Sequence, residues 1–404
     1  MHPLDRYEFL KDESDFMSFL QWAKKIVTQI TARQALHACM PAGKQAAFLK
    51  GIPEPEDDLA RSYAQYRCQM KLSGRGMQVA YQLASIPLLL IYRYRYAARQ
   101  KRAVSSADAV FLYADTSAIL PETLHAEFPQ LVQVRGFQQQ GLLLPEDIAF
   151  LHEMKRRYPV SFYFRFKCMV KLAMYRYWFE AYHPKVMIVS EEYSYTSSFL
   201  TAYCHRLGVE HINVMHGEKL YSIQDSFVHF DRFYVWDVFY RDLFISLRAE
   251  PAQFCVELPP SMQPWNADGV EKSVDYTYYL QAEDRAMLEK IAQALHTLRQ
   301  QGCTVAVRPH PRYSDQNEIC TLFSGIEVEN GSEISIQTSV LRTRHVISRF
   351  STVLYQAYTN HVPIVIDDRT DPEEFRQLAE LQYQILSVPH ALLSELMEKS
   401  EIRR

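Results

Sequence analysis

Glycine is scarce, with 12 in 404 residues. A ligand loop here must be built from side chains and helix ends rather than from glycine-rich turns. No GxGxxG occurs, and Ala42-Gly43-Lys44 lacks the rest of a Walker motif. An excess of either charge is also missing: 44 basic residues stand against 47 acidic ones, net −3. Bulk charge therefore does not mark a nucleic-acid binder. Seven cysteines are scattered with no CxxC pair, which reads as reduced thiols acting as small buried hydrophobes in a cytoplasmic protein. The 14 histidines show no HxH or HExxH spacing and no DxD occurs, so no metal is expected. The longest apolar run, near Ile86–Ile91, is far short of the ~20 residues that span a bilayer. The start, MHPLDRYEFLKDESDF, is too charged for a signal peptide. The expectation is a cytoplasmic chain, either free in solution or peripheral on the inner membrane face.

A content of 48% hydrophobic and 23% charged residues is ordinary for a globular chain and excludes collagen, coiled coil and wholesale disorder. The length implies two domains. Aromatics are abundant, with 26 Tyr and 22 Phe, many beside basic residues. Residues 91–102 read IYRYRYAARQKR, and residues 155–179 carry seven Lys/Arg among Phe, Tyr and Trp. Such a composition suits either an anionic membrane surface or long helices whose rings fill a core while Arg and Lys snorkel.

Periodic apolar residues predict helices over Phe16–Ile30, Leu59–Met70 and Met77–Tyr96, a helical N-terminal extension. Short apolar runs then alternate with helical stretches. Strands are expected at Ala109–Tyr113, Val186–Ser190, His211–Met215 and Phe233–Trp236. Pro259, Pro260, Pro264, Asn266, Asp268 and Gly269 mark a boundary within Glu257–Lys272. Alternation restarts with strands at Val274–Leu280, Thr304–Arg308, Ile326–Glu329, His345–Ser348 and Pro363–Ile366. The pattern predicts an α/β chain of two Rossmann-like domains, 1–262 and 263–404, facing one another across a cleft.

Ligands of open α/β sheets bind beyond the carboxyl ends of strands. Four polar groups fall there. Arg308-Pro309-His310-Pro311-Arg312 holds His310 rigidly between two prolines with positive charge around it, which suits a phosphate. Ser348-Arg349-Phe350-Ser351-Thr352 joins a strand to a helix, with Ser351 as the expected N-cap. Its free N–H groups and hydroxyls make an anion site. Ser190-Glu191-Glu192 and His216-Gly217-Glu218 offer Glu191, Glu192 and His216 as alternative general bases. Arg308, His310, Arg312, Ser348, Ser351 and Thr352 are the candidate donor-phosphate ligands.

A strand ending in RPHP, followed by a Ser-Thr pair opening a helix, resembles bacterial glycosyltransferases of the GT-B architecture that build surface polysaccharides. The similarity is to capsule and lipooligosaccharide sialyltransferases, polysialyltransferases included, and to CDP-glycerol glycerophosphotransferases. His310-Pro311 and Ser351-Thr352 match the sialyltransferase motifs that bind a CMP donor. Glu191-Glu192 is similar to the acidic motif that supplies the base, with Tyr193 where glycine is expected. His216-Gly217 followed by Phe230–Trp236 is similar to the glycerophosphotransferases, in which the His-Gly histidine is the proposed base. The resemblance covers roughly Val186–Asp367.

The resemblance implies metal-independent transfer, without a cofactor, of a sialic acid or Kdo type sugar from a CMP donor to a glycan or lipid-linked glycan hydroxyl. The N-terminal domain would serve the acceptor and the C-terminal domain the donor. The alternatives are polyol-phosphate transfer from a CDP donor, a nucleotide-sugar epimerase, and a non-catalytic membrane-associated scaffold. Segments 91–102 and 155–179 would meet the membrane.

Overall fold

The structure, a computed structural model, describes residues 40–97, 105–113, 117–136, 140–311 and 313–401. The expected helix Phe16–Ile30, the basic residues Arg99, Lys101 and Arg102, and Arg312 lie outside the described residues. The chain is α/β and divides into two compact units. One comprises Met1–Gly217 with Tyr221–Ser261, the other Glu218–Leu220 with Met262–Arg404.

The first unit begins with helices Ala42–Lys50, Asp58–Leu72 and Arg75–Ala97. Its sheet follows: β1 (Ala109–Leu112), β2 (Leu131–Val134), β3 (Val186–Val189), β4 (Glu210–Val214), β5 (Arg232–Val235) and β6 (Phe254–Val256). All pairs are parallel and the order is β2-β1-β3-β4-β5-β6. Every residue of β1 and β3 is buried, as expected where helices cover both faces of a parallel sheet. Phe111, Ile188, Ile212 and Val214 share a core there with Leu124 from the Glu122–Glu127 helix.

The aromatic stretch 155–179 supplies most of the helix Phe162–Tyr182. Its Phe164, Phe166, Tyr175, Trp178 and Phe179 are buried. Arg176 is buried as well and grips Asp147, with Nη2 donating to Oδ1 at 2.6 Å and Nε donating at 3.0 Å. Tyr203 Oη donates to the same carboxylate at 2.6 Å. Of the two readings of this stretch, these rings follow the one in which aromatics fill a core, and the partner of Arg176 is internal.

The second unit carries β7 (Val274–Tyr279), β8 (Val305–Arg308), β9 (Glu327–Val328), β10 (Thr343–Ser348), β11 (Ile364–Ile366) and β12 (Ala391–Leu392). The order is β12-β11-β10-β7-β8-β9, again all parallel. The helix Arg285–Gln300 starts where Asp284 accepts from Met287 N–H at 2.9 Å. It stops before Gly302, whose φ of 89° an L side chain would resist. Leu288, Ile291, Leu295 and Leu298 recur at helical spacing and pack on Val305, Val307, Ile347 and Val365.

Counted from β7, the second sheet has the 3-2-1-4-5-6 order of dinucleotide-binding folds, with its switch point between β7 and β10. In the first sheet the order reverses between β1 and β3.

Candidate active site

Beyond β3 and β4, the chain gathers buried polar groups where an apolar sheet would otherwise end. Ser190 and Glu192 follow β3; Asn213 lies within β4 and His216 just past it. Glu192 and Asn213 are wholly buried, and His216 is 9% exposed. Ser190 Oγ and His216 Nδ1 share a short hydrogen bond. Glu192 Oε1 stands 3.6 Å from the same nitrogen. Asn213 ties the cluster together, donating Nδ2–H to Glu192 Oε2 at 3.0 Å and accepting Glu191 N–H on Oδ1 at 2.8 Å. The imidazole is flanked by Tyr113 and Tyr193, with ring centroids at 5.7 and 6.0 Å. Gly217, at φ 64°, takes the left-handed turn directly after it. Tyr113 follows β1, so the cluster occupies the β1/β3 switch point.

The helical extension holds this loop in place. Ser62, Gln65 and Gln69 lie on one face of Asp58–Leu72, at i, i+3 and i+7. Ser62 Oγ donates to Tyr195 O at 2.5 Å, Gln65 Nε2 to Glu192 O at 3.1 Å and Gln69 Nε2 to Tyr193 O at 2.5 Å. Three carbonyls of one loop are thus satisfied by a helix more than 120 residues earlier.

The three candidate bases are placed differently. Glu191 is ion-paired with Lys171 at 2.7 Å. Glu192 is enclosed and faces Asn213 and His216, so it lies behind the histidine, whereas Glu191 is partly exposed. Half-buried Lys167 adds a second cation near Glu191. Burial, reinforced by Lys171 and opposed by Glu191, lowers its ammonium pKa to about 8.

In the second unit, Ser351 caps the Thr352–Thr359 helix, its Oγ accepting from Val353 N–H at 3.3 Å. Gln281, just past β7, donates Nε2–H to the same oxygen at 2.9 Å. This cap follows β10, so Ser351 and Thr352 sit at the β7/β10 switch point. Arg349 is buried beneath, bridging Glu283 at 3.1 Å and Glu374 through a short contact. His310 stacks on Tyr313 with centroids 4.4 Å apart. Its backbone N–H donates to Ser314 Oγ at 2.9 Å, closing the turn after β8.

Two expected phosphate ligands are committed elsewhere. Ser348 is wholly buried and donates to Tyr279 O at 2.9 Å, stitching β10 to β7. Arg308 Nη1 donates to Glu329 Oε2 and Ile334 O, both at 2.9 Å, holding the β8–β9 edge. Burial explains Ser348, and the buried Glu329 carboxylate explains Arg308, because an enclosed charge needs a partner. Asn213, Gln281, Lys167, Lys171 and the Ser62/Gln65/Gln69 face were not foreseen. The one signal available was Asn213, a lone amide inside an apolar strand sequence.

Among the described residues no His, Cys, Asp or Glu cluster could hold a metal ion. Each unit is a doubly wound parallel α/β body with polar side chains collected at its switch point, which is the ligand-binding class of this architecture. No protein-family model and no curated protein matches the chain. Among solved structures it is similar to the wall teichoic acid polymerase TagF, at 9% identity over 81% of this chain and 88% of that one, TM-score 0.43. It is also similar to a UDP-N-acetylglucosamine 2-epimerase from Rickettsia bellii, at 9% identity over 66% and 79% of the two chains, TM-score 0.40. A third is CalG4, the calicheamicin glycosyltransferase, at 10% identity over 73% and 89%, TM-score 0.46. A polymerase, an epimerase and a glycosyltransferase differ in chemistry, so the likeness assigns none of them to this chain.

Proposed function

We propose that the chain is a GT-B type transferase that moves an activated group from a cytidine-nucleotide donor to a hydroxyl acceptor without a metal, with His216 as general base. The buttress behind His216 carries the reading. A histidine with Nδ1 held by Ser190 and faced by a buried carboxylate is oriented, and its imidazolium is stabilised as it forms. Proton transfer is assigned to Nε2, the nitrogen distal to the buttress.

The acceptor hydroxyl gives its proton to His216 and its oxygen attacks the donor, while CMP departs with the bonding electron pair. Charge on the leaving phosphate is assigned to Ser351, Thr352 and the N–H groups of their helix start, with His310 and Arg312 as further phosphate ligands. Ser348 holds β10, which leads into that cradle, against β7, and Arg308 holds the β8 end that precedes His310.

The placement of the bases favours the glycerophosphotransferase pattern over the sialyltransferase one, because Glu191 is paired and Glu192 enclosed. The donor is then a CDP-activated polyol such as CDP-glycerol, and the new bond is oxygen to phosphorus. Transfer of sialic acid or Kdo from a CMP donor is the second reading. It rests on His310-Pro311 with Ser351-Thr352, and its new bond is oxygen to an anomeric carbon. A glycan or lipid-linked glycan hydroxyl is the acceptor in either case.

Thermal-shift binding of CMP, CDP, UDP and GDP to wild type and His310→Ala tests the donor site. Stabilisation by cytidine nucleotides alone, weakened in the variant, is the expected result. Stabilisation by UDP or GDP alone moves the donor class, and none at all leaves a non-catalytic scaffold. With CDP-glycerol, CMP-sialic acid and CMP-Kdo as donors, phosphate retained in the product separates the two chemistries.

A further inference from the structure

The helix Arg75–Ala97 lies along Phe162–Tyr182 with one face and leaves the other uncovered. Val79, Leu83, Ile86, Leu90 and Tyr94 recur at spacings of four, three, four and four, which is one side of a helix. They are 58, 63, 40, 70 and 80% exposed. Scattered exposed apolar residues need no explanation, but a continuous stripe of this kind marks an interaction surface. Beside its C-terminal half opens a largely apolar cavity of about 150 Å³. Leu90 belongs to both stripe and cavity, so the two surfaces are continuous.

The charged side chains lining the cavity are of one sign. Residues 59–107 contain nine Lys/Arg and residues 154–179 seven, without a single Asp or Glu in either. In the fold, Arg61, Arg157, Lys171 and Arg176 of these segments are paired with Glu250, Asp57, Glu191 and Asp147 from outside them. Arg93, Lys155 and Arg165 line the cavity, and no carboxylate does. Arg93 and Arg95 flank the exposed Tyr94 at the helix end.

We infer that the Arg75–Ala97 helix is a docking surface for an anionic lipid bilayer, lying in the interface with its Val79–Tyr94 stripe inserted and Arg93, Arg95, Lys155 and Arg165 on the lipid phosphates. A second copy of the chain is the competing occupant. Two copies joined here would bring Arg93, Lys155 and Arg165 of each together with no carboxylate in the cavity lining to offset them, whereas an anionic lipid surface attracts both the charge and the apolar side chains. No described helix is long and apolar enough to cross a membrane, so the helix rests on the bilayer. Arg93 and Arg95 lie within its last turns and require an aqueous or headgroup level. The inference stands on this surface alone and does not depend on the transferase reading.

Flotation of the full chain with vesicles tests it, using phosphatidylcholine alone and phosphatidylcholine with 30 mol% phosphatidylglycerol. Wild type is expected to float with the anionic vesicles and to be retained at least ~10-fold less by the neutral ones. Leu83→Glu/Leu90→Glu, at sites open to solvent, is expected to lose anionic binding by ~10-fold or more. Arg93→Gln/Arg95→Gln is expected to lower binding several-fold and to flatten its salt dependence. Circular dichroism and an unchanged melting temperature certify that the variants fold. Equal binding to both vesicle types, or no effect of the Leu83/Leu90 variant, overturns the inference. So does a wild type that stays off vesicles, or one whose mass by light scattering is a dimer that Leu83→Glu/Leu90→Glu dissociates.

Discussion

Two buried histidines of the first unit illustrate how surroundings decide what one residue type does. His216 sits at a strand end with a carboxylate behind it. His211 sits within β4 and is wholly enclosed, between Tyr175 Oη at 2.9 Å and Thr201 Oγ1 at 2.8 Å. Burial lowers the His211 pKa to about 3. It is neutral in the fold and charges in the unfolded chain below about 6.5. The unfolded state therefore binds the extra proton between about 6.5 and 3, and stability falls as pH drops through that window. The slope approaches ~1.4 kcal/mol per pH unit from this group.

His229 works in the opposite direction. Burial lowers its pKa, but the hydrogen bond and charge of Asp58 outweigh that and raise it overall. Its contribution is present below the unfolded value and is lost as pH rises. Urea unfolding at pH 7 and pH 5 should therefore show a smaller acid loss in His211→Gln than in wild type, with the His229 contribution common to both. At the site, His216→Gln is expected to lower kcat by about 10²–10⁴-fold while leaving the nucleotide thermal shift intact. A comparable loss of nucleotide binding would argue against a base role. Asn213→Leu removes the partners of Glu192 and of Glu191 N–H. It should cost ~1–3 kcal/mol by urea titration and lower kcat as the buttress loosens.

Among the elements, the start of the Thr352–Thr359 helix joins stability to binding in one hydroxyl. Ser351→Ala should cost about 1 kcal/mol for the lost cap and weaken cytidine-nucleotide binding by several-fold in the thermal-shift titration. Beneath it, Arg349→Met would leave Glu283 and Glu374 facing one another without their cation. A loss of about 3–5 kcal/mol is expected, because an unpaired buried charge is what such a change exposes. A melting temperature unchanged by Arg349→Met would show that the two carboxylates reach solvent. The helix Asp58–Leu72 acts as a splint, since Ser62, Gln65 and Gln69 give the site loop the partners its own neighbours do not. Replacing Gln65 by Leu should lower kcat more than it changes nucleotide affinity.

At the scale of the whole molecule, the chain is a nearly neutral protein whose charge is unevenly spread. Arg93, Lys155 and Arg165 line one cavity with no carboxylate among them, so if the chain docks on an anionic bilayer there, salt should weaken that binding. A bound nucleotide present at a hundred times its dissociation constant should stabilise the unit that holds it by ~2.7 kcal/mol. The thermal shift should therefore keep rising with the logarithm of concentration beyond saturation.

The main strands were legible in the sequence because each is a short apolar run between turn residues. Val186–Val189, Val305–Arg308 and Ile364–Ile366 lie inside the expected segments, and Thr352–Thr359 and its cap stand where Ser351 predicted. The edge strands Leu131–Val134, Phe254–Val256 and Ala391–Leu392 were not seen, and neither were the helices Ala42–Lys50 and Gln316–Leu322. Elements that short, and only partly covered, carry too little periodicity to stand out.

Hydrophobic pattern, cap chemistry and turn residues are local properties. The sequence by itself therefore determined that this protein alternates strand and helix in two units, and which polar residues stand at strand ends. Which of those residues reach a ligand depends on what covers them, and only the tertiary structure decided that. It enclosed Glu192 and Ser348, turned Arg308 to Glu329, brought Asn213 and a distant glutamine face to the histidine loop, and left one side of the Arg75–Ala97 helix bare. Partners more than a hundred residues apart leave no mark in either neighbour's sequence.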